Sequence, residues 1–161
     1  MKHPTEDLNL EWVTPGTQVN RILLDMEAET FAEGAIDSWA LVPFMEHGRV
    51  CLVLDDGEPV AHAILMEAWR SDPPKAYLFS LGVRPPYRGR GIASWLMSRL
   101  VETLTEEGFR RLELTVHPAH TTALHLYRNR FGFEDVRFEK DWYGPGEDRI
   151  LMMRDLWVFP T

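Results

Sequence analysis

YLFSLGVRPPYRGRGIASWLMSRLVETL, residues 77–104, decides the reading of this chain. It opens as an apolar strand, turns at Pro85-Pro86, crosses Arg88-Gly89-Arg90-Gly91 and enters an amphipathic helix. After the loop the apolar residues are Ile92, Ala93, Leu96, Met97, Leu100, Val101 and Leu104, a helical stripe that Gly108 stops. The loop sets glycines and two guanidinium groups at the helix N-terminus. Free amides and the positive end of the helix dipole meet there, so the spot suits an anion, most naturally a phosphate. Ser94 stands where a dinucleotide fingerprint would need its third glycine, and the Gly-Lys-Ser/Thr of a nucleotide-triphosphate loop is absent. A tight loop with solvated arginines is the bland alternative.

Working outward, residues 8–13 alternate apolar and polar side chains and read as a strand. Residues 17–31 carry helical spacing through Val19, Ile22, Leu23, Met26 and Phe31, with Thr17 as N-cap. A short helix is expected over 37–46, with Pro43 as a candidate breaker. Residues 49–54 and 59–69 read as strands around the turn Asp55-Asp56-Gly57-Glu58. Residues 75–83 form the strand that feeds the loop. Beyond the long helix, residues 111–117 alternate Leu112, Leu114 and Val116 against Glu113, Thr115 and His117. A short helix runs from Thr121 or Thr122, one of which caps it, to about Arg130. Residues 133–141 and 149–156 are the last strands. The expectation is an α+β domain of three layers, α/β/α, on a mixed sheet of about seven strands, with residues 1–161 as a single domain.

Composition narrows the partners. Hydrophobic residues make up 45% and charged residues 26% of 161 residues, values that indicate a globular domain with a real core. A formal net charge of −8 argues against nucleic acid, whose phosphates need a basic surface. Arg84, Arg88 and Arg90 stand out locally against that background and favour a small anionic ligand. The single Cys51, inside VCLVL, reads as a buried strand residue of a protein from a reducing compartment. The first residues have no signal-peptide pattern, and no apolar run nears the ~18 residues of a membrane span. A soluble cytoplasmic protein, monomeric or homodimeric, without membrane or metal, is expected. The apolar tail Leu156-Trp157-Val158-Phe159-Pro160 suits either core sealing or dimerisation.

Val83-x-Pro85-x-Tyr87-Arg88-Gly89-x-Gly91-Ile92-Ala93 resembles the acetyl-CoA loop of the GNAT superfamily of N-acetyltransferases. Arg88, Gly91 and Ala93 fill the three fixed places of its Gln/Arg-x-x-Gly-x-Gly/Ala signature. A second block follows in the right order, Ala123-Leu124-x-Leu126-Tyr127 leading to Gly132-Phe133. The resemblance covers roughly residues 50–156. It implies strands four and five splayed apart, with the pantetheine arm of acetyl-CoA paired to Leu81, Gly82 and Val83, Gly82 sitting at a bulge. It also implies a cofactor loop of Arg88, Gly89, Arg90, Gly91, Ile92, Ala93 and Ser94, with His120 where the family usually has Asn. Tyr127 takes the place of the tyrosine that serves as general acid toward the leaving thiolate. The interval from Tyr127 to Gly132 is one residue longer than the commonest form, so a helix end that is bulged or wound differently is expected there, with the tyrosine kept in place.

The base is the weak place. Family members carry a Glu on strand four, where Tyr77 stands, or a Glu or His on strand five, where Thr115 stands. Glu113, His117 and Glu67 remain as candidates, each also readable as an ordinary strand or strand-end residue. At pH 7 roughly one α-amine in ten is neutral, against about one lysine amine in a few thousand, so a weak base suits an α-amine. The acceptor is expected near Phe31, Glu33, Asp37, Trp39, Trp142, Tyr143, Glu147 and Asp148, where carboxylates beside aromatics attract a cationic amine. The turn DWYGPGEDRILM resembles one in bacterial and archaeal protein N-terminal acetyltransferases. The reading is acetyl transfer from acetyl-CoA to a primary amine, of a peptide N-terminus or a small molecule, by direct attack in a ternary complex. The alternative is a GNAT-like acyl-CoA-binding, sensing or interaction module without turnover.

Overall fold

The computed structural model describes residues 5–157. Its strands are β1 (Leu8–Val13), β2 (Arg49–Asp55), β3 (Glu58–Glu67), β4 (Lys75–Val83), β5 (Arg111–Val116), β6 (Glu134–Glu139) and β7 (Arg149–Asp155). Its α-helices are α1 (Thr17–Phe31), α2 (Ser38–His47), α3 (Ile92–Glu106) and α4 (Thr121–His125). The strands form one mixed sheet in the order β1-β2-β3-β4-β5-β7-β6. β4 and β5 run parallel because α3 carries the chain back between them. Their ladder joins Lys75–Leu78 to Arg111–Leu114. This is the α+β GNAT fold with its seven-stranded mixed sheet. The apolar tail from Val158 to Pro160 lies outside the described residues.

The chain divides into two compact units. The first comprises Met1–Met66 and Phe79–Leu100. Its core gathers Leu23 and Met26 of α1, Leu41 and Met45 of α2, Val50 and Leu52 of β2, and Ile64 of β3. Phe44 and Phe79 pack beside it with ring centroids 4.6 Å apart. VCLVL is buried on both faces of β2, from Val50 to Val53, which is why that run is continuous rather than alternating.

The second unit comprises Glu67–Leu78 and Val101–Thr161. Here β5 alternates as read, with Leu112, Leu114 and Val116 buried and the residues between them half-buried. Ala76, Leu78, Leu104, Leu124, Tyr127, Phe133, Leu151, Met152 and Leu156 are buried in the same unit. The Leu156 amide donates to the Arg110 carbonyl at 2.8 Å, which fixes the end of β7.

The helix ends depart from the sequence expectation. Gly16, not Thr17, is the N-cap of α1, and no side chain caps it. Thr121 and Thr122 do not cap α4 either; His120 precedes that helix, again without a side-chain bond. Asp37 lies outside α2 and caps it, accepting the Ala40 amide at 3.0 Å. Pro43 sits inside α2 without ending it. Leu41 and Met45, buried on either side of it, hold both halves in place against the one lost backbone bond.

Candidate active site

The strand-to-helix loop lies within the first unit. A single 3-10 turn at Pro85–Tyr87 redirects the chain out of β4. Gly89 and Gly91 then take φ values of +76° and +81°, with open space where a side chain would stand. Other residues are strained in that left-handed region. The first bond at the start of α3 runs from the Trp95 amide to the Gly91 carbonyl at 3.0 Å. The amides of Ile92, Ala93 and Ser94 therefore have no intrahelical acceptor. Ile92 is buried as the helix's first core residue, while Ala93 and Ser94 are half-buried.

The arginines around the loop are not equivalent. Arg84 grips Glu29 with two bonds of 2.8 and 2.9 Å. Its hydrogen bonds hold the Glu29 carboxyl below the usual range, against a smaller opposing effect of burial. Arg90 reaches Asp55 at 2.9 Å and lies over the Tyr87 ring at 5.6 Å. Arg88 instead donates from Nε to the Val83 carbonyl at 2.9 Å. Two of the three guanidinium charges are thus matched by carboxylates, so the basic cluster is weaker than the bare sequence suggests. Gly82 is required by lack of space. A Cβ there would stand 2.6 Å from Thr30 Oγ1 and 2.7 Å from His62 Cε1, so α1 and β3 leave no room for a side chain. Leu81 and Val83 flank it, half-buried and buried.

The second unit holds Tyr127. The extra residue before Gly132 is absorbed by a π-turn over Leu126–Arg130, with the Phe131 amide on the Leu126 carbonyl at 3.2 Å. Tyr127 is 8% exposed and meets Phe133 edge-on at 5.7 Å. Burial pushes its phenol up to about 12. His120 is exposed at the start of α4, its ring 5.5 Å from that of His117.

The candidate bases are accounted for one by one. Glu113 is 2.7 Å from Lys75 Nζ. His117 donates from Nε2 to the Gly146 carbonyl at 3.0 Å and accepts the Ala119 amide at Nδ1, also at 3.0 Å. Both ring nitrogens are engaged, and the ring fastens the β6–β7 loop. Glu67 ends β3 as an exposed side chain. At the two strand positions that lack a carboxylate, the Tyr77 hydroxyl lies 3.2 Å from Thr115 Oγ1 and 3.4 Å from the Tyr143 hydroxyl. Burial raises the Tyr77 phenol above its ordinary range.

The expected acceptor residues divide between the units. In the first, Trp39 is 87% exposed on α2, Glu33 is exposed in the 3-10 turn after α1, and Asp37 is spent on its cap. In the second, Trp142 and Tyr143 already carry guanidinium groups on their faces, Arg137 at 5.3 Å and Arg149 at 4.7 Å. Glu147 pairs with Arg149 at 3.0 Å, and Asp148 accepts the Asp141 amide at 2.8 Å. One cluster escaped the sequence altogether: Glu27, His62 and Ser80, all buried in the first unit. Its trace is legible in hindsight, because Glu27 falls four residues after Leu23 on the inward stripe of α1 and His62 interrupts the apolar run VAHAIL.

The model described as the acetyltransferase (GNAT) family matches residues 17–133, and the chain belongs to that family. The N-alpha-acetyltransferase daf-31 of Caenorhabditis elegans is 34% identical over 92 residues, 56% of this chain and 50% of that protein. The chain spans about half the length of the curated relatives it matches. Among solved structures, the ribosomal-protein-S18-alanine N-acetyltransferase from Escherichia coli superposes with a TM-score of 0.79 at 20% identity, covering 95% of this chain and 97% of that one. A GNAT family acetyltransferase from Elizabethkingia anophelis, solved with acetyl-CoA bound, gives 0.76 at 16% identity, over 94% and 99%.

Proposed function

We propose that the protein is an acetyl-CoA-dependent N-acetyltransferase that acts on a primary amine by direct attack in a ternary complex. The observation that carries this reading is the start of α3. Two glycines at positive φ and three amides without helical acceptors make a phosphate cradle that would hold the pyrophosphate of acetyl-CoA. Leu81, Gly82 and Val83 would offer backbone groups to the pantetheine arm.

The amine nitrogen attacks the thioester carbonyl and the C–S bond breaks. The amine loses a proton and the sulfur gains either a proton or a strong hydrogen bond. A phenol pushed up to about 12 is a weaker acid than a thiol near ~8.5. Tyr127 therefore serves the departing sulfur as a hydrogen-bond donor, with full proton transfer lagging behind bond cleavage. On the acceptor side Glu113 is ion-paired with Lys75 and His117 is held at both nitrogens, which leaves Glu67 and water to receive the proton. Such a site favours an amine with a sizeable neutral fraction. A peptide or protein α-amine meets that need better than a lysine, and the names of the relatives agree with it. The same engaged Glu113 and His117 favour the second reading, an acyl-CoA-binding module without turnover.

The deciding experiment follows thiol release from acetyl-CoA against peptides with varied N-termini, lysine peptides, polyamines, amino acids and aminoglycosides. Turnover with α-amines, reduced about 10²–10³-fold in Tyr127→Phe, is expected. Tight acetyl-CoA binding without release on any amine would favour the binding module.

A further inference from the structure

Glu27, His62 and Ser80 form a polar cluster at 1%, 0% and 4% exposure inside the first unit. One carboxylate oxygen, Glu27 Oε1, gathers His62 Nε2 at 2.6 Å and the Ser80 hydroxyl. Ser80 Oγ also lies 3.3 Å from His62 Nε2. A carboxylate only accepts, so Nε2 carries the hydrogen, and Nδ1 is left buried without a partner. Replacing such a buried polar group with well-packed apolar side chains is often neutral or stabilising. Stability alone is thus a poor reason for this cluster.

Its position supplies a better one. Ser80, Gly82 and Arg84 are alternate residues at the exit of β4, and α1 engages each of them. Glu27 bonds Ser80, Thr30 fills the space against Gly82, and Glu29 holds Arg84 with two bonds. β3 closes the other side through His62 and through the Val60 carbonyl, which accepts the Arg84 amide at 2.9 Å. Directed bonds and a missing side chain fix a backbone position that apolar packing would leave free to slide. We infer that α1 is a clamp on the exit of β4, with Glu27, His62 and Ser80 as positioning residues that hold residues 81–94 in the geometry an acyl-CoA requires. The inference rests on the acetyl-CoA reading for its purpose, though not for its mechanics.

The test joins two readouts on the full chain. In the variant combining Glu27→Leu, His62→Leu and Ser80→Ala, amide hydrogen exchange without ligand is expected to rise about tenfold over residues 81–94. Exchange over β2 should stay unchanged, and CoA should bind about tenfold more weakly. His62→Gln, which keeps a donor, should retain most of the protection. Unchanged exchange over 81–94 in the triple variant overturns the clamp. If that variant fails to fold, Ser80→Ala decides in its place: a local rise in exchange supports the clamp and none overturns it. A parent that binds no CoA would sink the acetyl-CoA reading, while the exchange arm still decides the clamp.

Discussion

Two glycines a few residues apart illustrate how differently one residue type can be required. Gly91 needs its positive φ and nothing around it resists a side chain, whereas Gly82 has extended neighbours and no space. Gly91→Glu should therefore fold, at a strain cost of about 1–2 kcal/mol, and lose CoA binding because a carboxylate occupies the phosphate position. Retained CoA affinity in that variant would remove the loop assignment. Gly82→Ala should instead destabilise the fold by about 1–3 kcal/mol, since either backbone or a hydrogen-bonded Thr30 must shift. Adding Thr30→Ala should recover part of the loss in urea titration. No recovery in the double variant would mean that the close approach to Thr30 is not what requires glycine.

At the scale of elements, strands and long helices were legible because burial imposes periodicity: the stripe of α3 and the alternation of β5 lie in the residues themselves. The caps were not, since a Thr beside a helix start is compatible with several geometries and only the backbone chooses. Thr17 heads α1 without capping it, while Asp37, read as the first residue of a helix, proves to be a cap. Asp37→Ala should cost about 1 kcal/mol and Thr17→Ala less than about 0.5. Equal losses on thermal denaturation would contradict this difference. The loop's glycines and the π-turn behind Tyr127 were readable from spacing. The pairing of Glu113 with Lys75 and the double engagement of His117 were not, because both depend on neighbours brought close by strand register and loop path. Glu27 and His62 were hidden by the assumption that a polar side chain belongs outside.

For the molecule as a whole, two buried acids and a half-buried one set how the fold answers alkali. Burial pushes the Cys51 thiol and the Tyr127 phenol each up to about 12 and raises Tyr77 as well. In the unfolded chain a thiol titrates near ~8.5 and a phenol near ~10. The folded state thus holds protons that the unfolded state releases. Their contribution to stability is fully present below ~8.5 and falls as pH climbs toward the folded values. Between pH ~8.5 and ~10 Cys51 acts alone among the three, with a slope of about 1.4 kcal/mol per pH unit. Above ~10 the tyrosines join and the decline steepens. Urea unfolding across pH 8–11 should show that break. Cys51→Val, which fills nearly the same volume in β2, should remove the first segment and leave the curve flat up to ~10. An undiminished decline between pH 9 and 10 in that variant would mean that another group, not the thiol inside VCLVL, governs the alkaline limit. The same burial keeps Cys51 from reacting as a thiolate in the native state, so a thiol-release assay reads the cofactor's sulfur and not the protein's.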